Sequence, residues 1–209
     1  MKKVFAACII LCISLATFAQ DEGDLDNQFY FRFGYSLPIG NYLSPVDVSD
    51  QLEWENITRF GTSFELGSIF MLNGIPMPDG LRLGVNVDYL STSYHRLTIS
   101  SYDYNLMVWK LAAKLGLSLS YSPVQGLVFD TYFKAHVPVV ALMWEEDYID
   151  DLLVATRAIG YATGINIRYT FLMMGVEFNT VSMIFEDSDG YDTDKLALPN
   201  INFIIGFSF

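Results

Sequence analysis

The stretch Pro199-Asn200-Ile201-Asn202-Phe203-Ile204-Ile205-Gly206-Phe207-Ser208-Phe209 decides the fold. An extended chain turns successive side chains to opposite faces. Phe209, Phe207, Ile205, Phe203 and Ile201 therefore share one face, and Ser208, Gly206, Ile204, Asn202 and Asn200 share the other. The first face is aromatic and aliphatic, while the second is small and mostly polar. Which of them is the inside depends on what the same two faces carry in the rest of the chain.

Working backwards, the alternation recurs in seven further segments. Residues 28–36 set Phe29, Phe31, Phe33 and Tyr35 against Tyr30, Arg32, Gly34 and Ser36. Residues 58–72 set Phe60, Thr62, Phe64, Leu66 and Phe70 against Arg59, Gly61, Ser63, Glu65 and Gly67. In the third, Leu81, Leu83, Val85, Val87 and Tyr89 oppose Arg82, Gly84, Asn86 and Asp88. In the fourth, Trp109, Leu111, Leu115, Leu117 and Tyr121 oppose Lys110, Lys114, Gly116 and Ser118. The fifth places Phe129, Phe133, Ala135, Val137 and Val139 opposite Asp130, Tyr132, Lys134, His136 and Pro138. The sixth places Ile159, Tyr161, Ile165 and Ile167 opposite Gly160, Gly164, Asn166 and Arg168, and the seventh Met174, Val176 and Phe178 opposite Gly175, Glu177 and Asn179. Polar stretches at 37–57, 91–104, 144–157 and 185–196 read as long loops, the third with a short helical turn in its second half. Those at 73–80, 122–126 and 170–171 read as short turns.

Charge settles which face is inside. Arg32, Arg59, Arg82, Lys110, Lys114, Lys134 and Arg168 all fall on the small, polar face, together with Glu65, Asp88, Asp130, Glu177 and His136. The apolar face carries no Lys, Arg, Asp or Glu in the middle of any strand. A soluble up-and-down barrel would turn its apolar face inward and leave the polar face in water, where nothing restricts it to small side chains. Here that face repeats glycine, as a narrow interior filled by alternating small and large side chains requires. The chain therefore reads as all-β, an eight-stranded antiparallel up-and-down transmembrane β-barrel. The alternation of long loops with short turns resembles that of single-chain bacterial barrels, whose long loops lie outside and short turns in the periplasm. The resemblance implies that both termini are periplasmic. Cations and anions confined in so narrow a lumen must pair, which predicts a plug of salt bridges in place of an open pore.

Bulk properties agree. Lys2 and Lys3 precede an apolar run from Val4 to Phe18, and Thr17-Phe18-Ala19 offers a cleavage site. Residues 1–19 are thus expected to be a signal peptide and residues 20–209 the barrel domain. Both cysteines, Cys8 and Cys12, fall inside that leader, and Ile9-Ile10-Leu11 lacks the small residues that a lipidated Cys12 would need. Beyond residue 19 stand ten basic and all 24 acidic residues, a net charge of −14, which excludes a basic nucleic-acid footprint. No apolar run there is long enough for a membrane helix.

The closing strand that ends on Phe resembles that of bacterial outer-membrane β-barrels. Gly34-Tyr35-Ser36-Leu37-Pro38-Ile39-Gly40-Asn41-Tyr42 resembles the first strand-to-loop passage of the OmpA-like, OMP_b-brl barrels of the Bacteroidetes. The resemblance implies a cell outer-membrane location, with outer-membrane lipid and lipopolysaccharide as surroundings. It also implies that Phe203, Phe207 and Phe209 form the signal read by the barrel assembly machinery. It covers essentially the whole barrel domain and includes no periplasmic peptidoglycan-binding domain.

No residue set points to catalysis. His136 is followed by Val137 and Pro138, and His95 by Arg96 and Leu97, so neither makes the His-x-Ser pair of lipid A deacylases of this size. The Asp-x-His pair of omptin-type proteases is absent. His95 with Asp103 and nearby serines offers only what any Ser-rich loop offers. His95 is expected to be a solvated loop residue, and His136 a lumen residue bonded to a carboxylate or carbonyl. Asp187, Asp189, Asp192 and Asp194, around Gly190, are spaced like part of a calcium loop but lack the closing Glu, which leaves a solvated acidic tip as the simpler reading. Trp109, Trp144, Tyr89, Tyr121, Tyr169 and Phe209 are expected to form interfacial aromatic girdles. Asn56-Ile57-Thr58 is a chance glycosylation sequon. The expected role is structural or interactive, without cofactor or enzymatic activity: a scaffold, or a subunit beside an envelope protein partner. A lipid-modifying enzyme and a narrow channel stand as alternatives.

Overall fold

A computed structural model describes residues 25–39, 43–44, 57–99, 104–145, 148–186 and 193–209. Ten strands follow one another: β1 (Gln28–Pro38), β2 (Leu43–Ser44), β3 (Ile57–Met71), β4 (Leu81–Ile99), β5 (Tyr104–Val124), β6 (Leu127–Glu145), β7 (Tyr148–Tyr169), β8 (Leu172–Glu186), β9 (Thr193–Ala197) and β10 (Asn200–Ser208). Each pairs antiparallel with its neighbours. β9 and β10 lie on β8 in one continuous register, from Ser182↔Ala197 to Asn200↔Asn179, and are a single stave interrupted at Pro199, which has no N–H to give. β2 extends the line of β1 along β9. The sheet therefore has eight staves.

The quoted stretch closes it. β10 pairs with β1 from Tyr30↔Ser208 to Pro38↔Asn200, and with β8 from Asn200↔Asn179 to Phe207↔Leu172. Phe29 and Phe209 exchange both backbone hydrogen bonds at 2.8 Å. No stave is left with a free edge, the condition for a sheet in hydrocarbon.

Side chains alternate as the sequence requires. Leu115, Leu117, Phe133, Ile165 and Phe203 point outward and are 50–61% exposed. Arg32, Asp88, Lys114, Lys134 and Glu177 point inward and are buried. Trp109 and Tyr121 lie twelve residues apart on the outer face of β5. That is about 40 Å of strand, or about 30 Å of depth at a tilt of roughly 40°, which matches a bilayer's hydrocarbon layer.

The two middle loops expected from the sequence are not loops. Residues 91–99 continue β4, and the segment 144–157 is mostly strand, ending β6 and beginning β7 with only residues 146–147 between; no helical turn is described there. β5 and β7 run to 21 and 22 residues, against the roughly 9–11 needed to cross a bilayer. Bulges in β4, β6 and β7 break the alternation. Tyr89 is unopposed between Gly67↔Asp88 and Leu66↔Leu90, so the inward phase of β4 passes from even to odd numbers, to Ser91, Ser93 and His95. Val137-Pro138 faces the single residue Ala113, after which Ala141 is the buried position and Val140 is exposed. A third shift separates Ala155 and Arg157. Tyr89, expected at a strand end, thus lies in mid-strand on the outer face.

The short turns stand where the sequence puts them. Thr170-Phe171 joins β7 to β8 in two residues, with Thr170 at φ 54°, the conformation a two-residue hairpin normally gives to glycine. A β-branched residue there is strained by about 1 kcal/mol. Thr170→Gly is expected to stabilise the barrel by that amount, read as a higher urea midpoint of tryptophan fluorescence in lipid vesicles.

Candidate functional site

The interior is the chemically distinctive part of the molecule. In its central layer Arg32 of β1 sits beside Glu65, its direct neighbour on β3, with Nε 2.5 Å from Oε2. Its Nη2 reaches across the lumen to Glu177 Oε2 of β8 at 3.0 Å. Lys114 of β5 donates to the same two carboxylates, to Glu177 Oε1 at 2.8 Å and to Glu65 Oε1. Lys134 of β6 donates to Asp88 Oδ2 of β4 at 2.6 Å. Three cations therefore face three carboxylates, all six at most 2% exposed, and they bind six of the eight staves together.

Two tyrosines complete the layer. Tyr132 donates to Glu177 Oε2 at 2.8 Å and accepts from Arg32 Nη1 at 3.0 Å. Tyr30 donates to Asp88 Oδ1, and its hydroxyl lies 2.6 Å from Asn86 Oδ1. The Arg32 guanidinium lies 5.1 Å from the centroid of each ring, and Lys134 Nζ 4.4 Å from that of Tyr132. Both rings rest on glycine: a Cβ on Gly67 would stand 2.6 Å from Tyr30 Oη, and one on Gly164 2.6 Å from Tyr132 Oη. The inward glycines thus make room for large polar side chains facing them.

Towards the short turns lies a second layer. Arg168 grips Asp130 with two bonds, Nε to Oδ2 at 2.6 Å and Nη2 to Oδ1 at 3.0 Å, and Ser120 Oγ donates to Asp130 Oδ1 at 2.6 Å. Arg82, expected in the lumen, does not join: it is half-buried and its Nη1 donates to its own strand's Leu81 carbonyl at 2.9 Å. Two residues from the start of β4, it is too near the rim to need a carboxylate.

Towards the opposite end lie Lys110, His136, His95, Ser36, Asn200 and Asn202, all buried. His95 is fully buried on β4 rather than solvated in a loop, its Nε2 2.8 Å from Ser36 Oγ, which is in turn 2.8 Å from the Asn200 side-chain amide. The bulge at Tyr89 is what turns it inward. His136 faces the lumen, but neither ring nitrogen has a hydrogen-bond partner, contrary to the expected carboxylate or carbonyl. Lys110 Nζ likewise has none.

The side chains of Arg59, Trp144 and Asp194 lie outside the described residues, as do Asp187, Asp189, Asp192 and the segment 1–19. Among the described residues no cluster of three or more His, Cys, Asp or Glu is placed to hold a metal. Phe203, Phe207 and Phe209 all stand on the outer face, with Phe207 packed on Phe31 (centroids 5.2 Å) and stacked on Phe171 (6.0 Å).

A closed sheet with an apolar exterior and its ionised side chains sealed within has the build of a bacterial outer-membrane β-barrel. No protein-family model matches the chain, and no curated protein matches it. Among solved structures it is similar to Ail, the attachment invasion locus protein of Yersinia pestis, at 9% identity over 88% of this chain and 99% of that one, with a TM-score of 0.41. It is similar to Neisserial surface protein A at 9% identity, over 87% and 97% of the two chains, with a TM-score of 0.47. It is also similar to the outer membrane protease OmpT of Escherichia coli at 12% identity, over 90% and 97%, with a TM-score of 0.43. Likenesses this distant carry no residue's role across.

Two measurements check the arrangement. Glu177→Ala leaves three buried cations with two carboxylates and is expected to destabilise the barrel by about 3–5 kcal/mol, whereas Ser118→Ala, which removes a buried unbonded hydroxyl, changes the urea midpoint little. Leu115→Lys, on the outer face at mid-depth, is expected to cost about 2–4 kcal/mol of folding free energy in lipid vesicles.

Proposed function

We propose that this barrel is a non-conducting scaffold of the outer membrane that holds a strand-built platform outside the cell for a partner protein of the envelope. The layer formed by Arg32, Glu65, Asp88, Lys114, Lys134 and Glu177 carries the reading, because it fills the lumen with mutually bonded charge. A conducting path would have to pull those bonds apart in a medium that screens them poorly. The platform is supported by strand length: the 21 residues of β5 amount to about 70 Å of strand, or about 50 Å of height at a tilt of roughly 40°, well beyond the apolar belt.

In this reading the short turns and both described chain ends face the periplasm, and the long hairpins β4–β5 and β6–β7 project outward, as in single-chain bacterial barrels. Outer-membrane lipid and lipopolysaccharide surround the belt, and the assembly machinery engages Phe203, Phe207 and Phe209 on the closing stave. The terminal strand and the 34–42 passage favour the OmpA-like barrels of the Bacteroidetes as the lineage.

One contact favours a lipid-modifying enzyme: His95 meets Ser36 at 2.8 Å. Both side chains are fully buried and face the lumen, and His95 Nδ1 has no partner to orient the ring as a general base. The pair is better read as a polar link between β1 and β4.

The purified barrel is expected to show no unitary conductance in planar bilayers and to copurify from mild-detergent outer membranes with a stoichiometric protein. Steady conductance would remove the scaffold reading in favour of a channel. A mass shift of lipid A on deletion would replace it with the enzyme.

A further inference from the structure

The interior charge divides into a balanced part and a remainder. Arg32, Lys114 and Lys134 are matched by Glu65, Asp88 and Glu177, and Arg168 by Asp130. Lys110 is the remainder. It lies on the inward face of β5, one register level above Ala112 and opposite Ser93 of β4 and Ala141 of β6, and is 5% exposed. Among the described residues no acceptor lies within hydrogen-bond distance of its Nζ. Within its electrostatic range are Lys114, which repels it, and Glu177. Glu177 already accepts from Arg32, Lys114 and Tyr132. Among the described residues no carboxylate is left over for this cation.

Two imidazoles lie near it, and one of them holds a donor without an acceptor. His95 and His136 both lie within electrostatic range of Lys110. Both ring nitrogens of His136, and Nδ1 of His95, are buried without partners. A neutral imidazole always carries one N–H, so His136 presents an unused donor in either tautomer. Gly61 lies under the His95 ring, where a Cβ would come 2.5 Å from Cδ2, so this imidazole is held close against the wall. A buried ammonium with no counterion costs several kcal/mol, and the unused His136 N–H adds to that cost. A single small anion satisfies them together.

We propose that Lys110, His136 and His95 form a binding site for one small monoanion, chloride or a short carboxylate, held in the lumen directly above the salt-bridge plug. The plug closes the lumen below it, so the site is a terminal one, entered from the end opposite the short turns, and not a station on a conducting path. The bound charge balances the one interior cation that, among the described residues, the carboxylates leave without a partner.

Lysine ¹⁵Nζ spectra of the full barrel in lipid nanodiscs test this, with chloride titrated against gluconate, which is too large for the lumen, at constant ionic strength. One Nζ resonance is expected to move saturably with chloride, with a midpoint on the order of millimolar, and not with gluconate. That resonance is absent in Lys110→Met. His136→Phe removes one N–H to the anion and weakens binding about ten-fold. A Lys110 amine that stays neutral at every chloride concentration, or a shift that gluconate reproduces, overturns the proposal. Should Lys110→Met fail to fold, the wild-type titration and the weakening in His136→Phe decide it alone.

Discussion

Everything in this molecule depends on the mutual neutralisation of Arg32, Lys114 and Lys134 with Glu65, Asp88 and Glu177 inside a closed cylinder. The bilayer fixes the outside: hydrocarbon offers no hydrogen-bond partner, so the sheet must close and its outer face must be apolar. With that face committed, every charge that the strands carry at membrane depth is forced inward. The interior also holds a small apolar cluster of Tyr30, Ile69, Met71 and Met173, but at the level of the charges its cohesion comes from bonds that cross it. Arg32 reaches from β1 to β8, and Lys114 from β5 to both β3 and β8. Together with the Arg32–Tyr132 bond, which joins β1 to β6 four staves round the cylinder, these contacts tie staves that are not neighbours, which ladder hydrogen bonds cannot do.

Large polar side chains in so small a lumen need space, and the glycines supply it locally. Tyr30 lies on Gly67 and Tyr132 on Gly164, and each ring then offers a face to the Arg32 guanidinium and a hydroxyl to a carboxylate. The charge layer and the glycine pattern are therefore one device: removing the cavity under either ring would displace the group that orients the ions.

The staves at membrane depth were legible because lipid outside and charge inside impose a strict period of two, as in Leu115, Leu117 and Phe133 against Lys114 and Lys134. Past the apolar belt the outer face meets water, both faces turn polar, and the period disappears. Residues 91–99, Ser-Thr-Ser-Tyr-His-Arg-Leu-Thr-Ile, therefore read as a loop although they continue β4. Their β-branched and aromatic content, Thr92, Tyr94, Thr98 and Ile99, was the signal that survived. The burial of His95 was not legible at all, because a bulge at Tyr89 reverses the phase, and nothing in the local sequence marks one extra residue. Lys110, by contrast, was correctly assigned to the lumen, but parity says only which face a side chain takes. That its carboxylate neighbours would all be engaged by other cations is a property of the three-dimensional arrangement.

The same geometry bears on the long hairpins. β4–β5 leaves the belt without a joint, since its backbone ladder runs from Arg82↔Ser120 near the turns to Ile99↔Tyr104 apart from the bulge at Tyr89. The β6–β7 ladder instead lapses between His136↔Gly160 and Leu142↔Val154 and then resumes. A bulge adds local twist but keeps the strands paired on both sides, so it re-aims the upper part of the sheet without creating a hinge. The plug immobilises β4, β5 and β6 through Asp88, Lys114 and Lys134, close to that bulge. Restraint applied at the level of the ion pairs is thus passed along the continuous β4–β5 ladder to the far end of that hairpin.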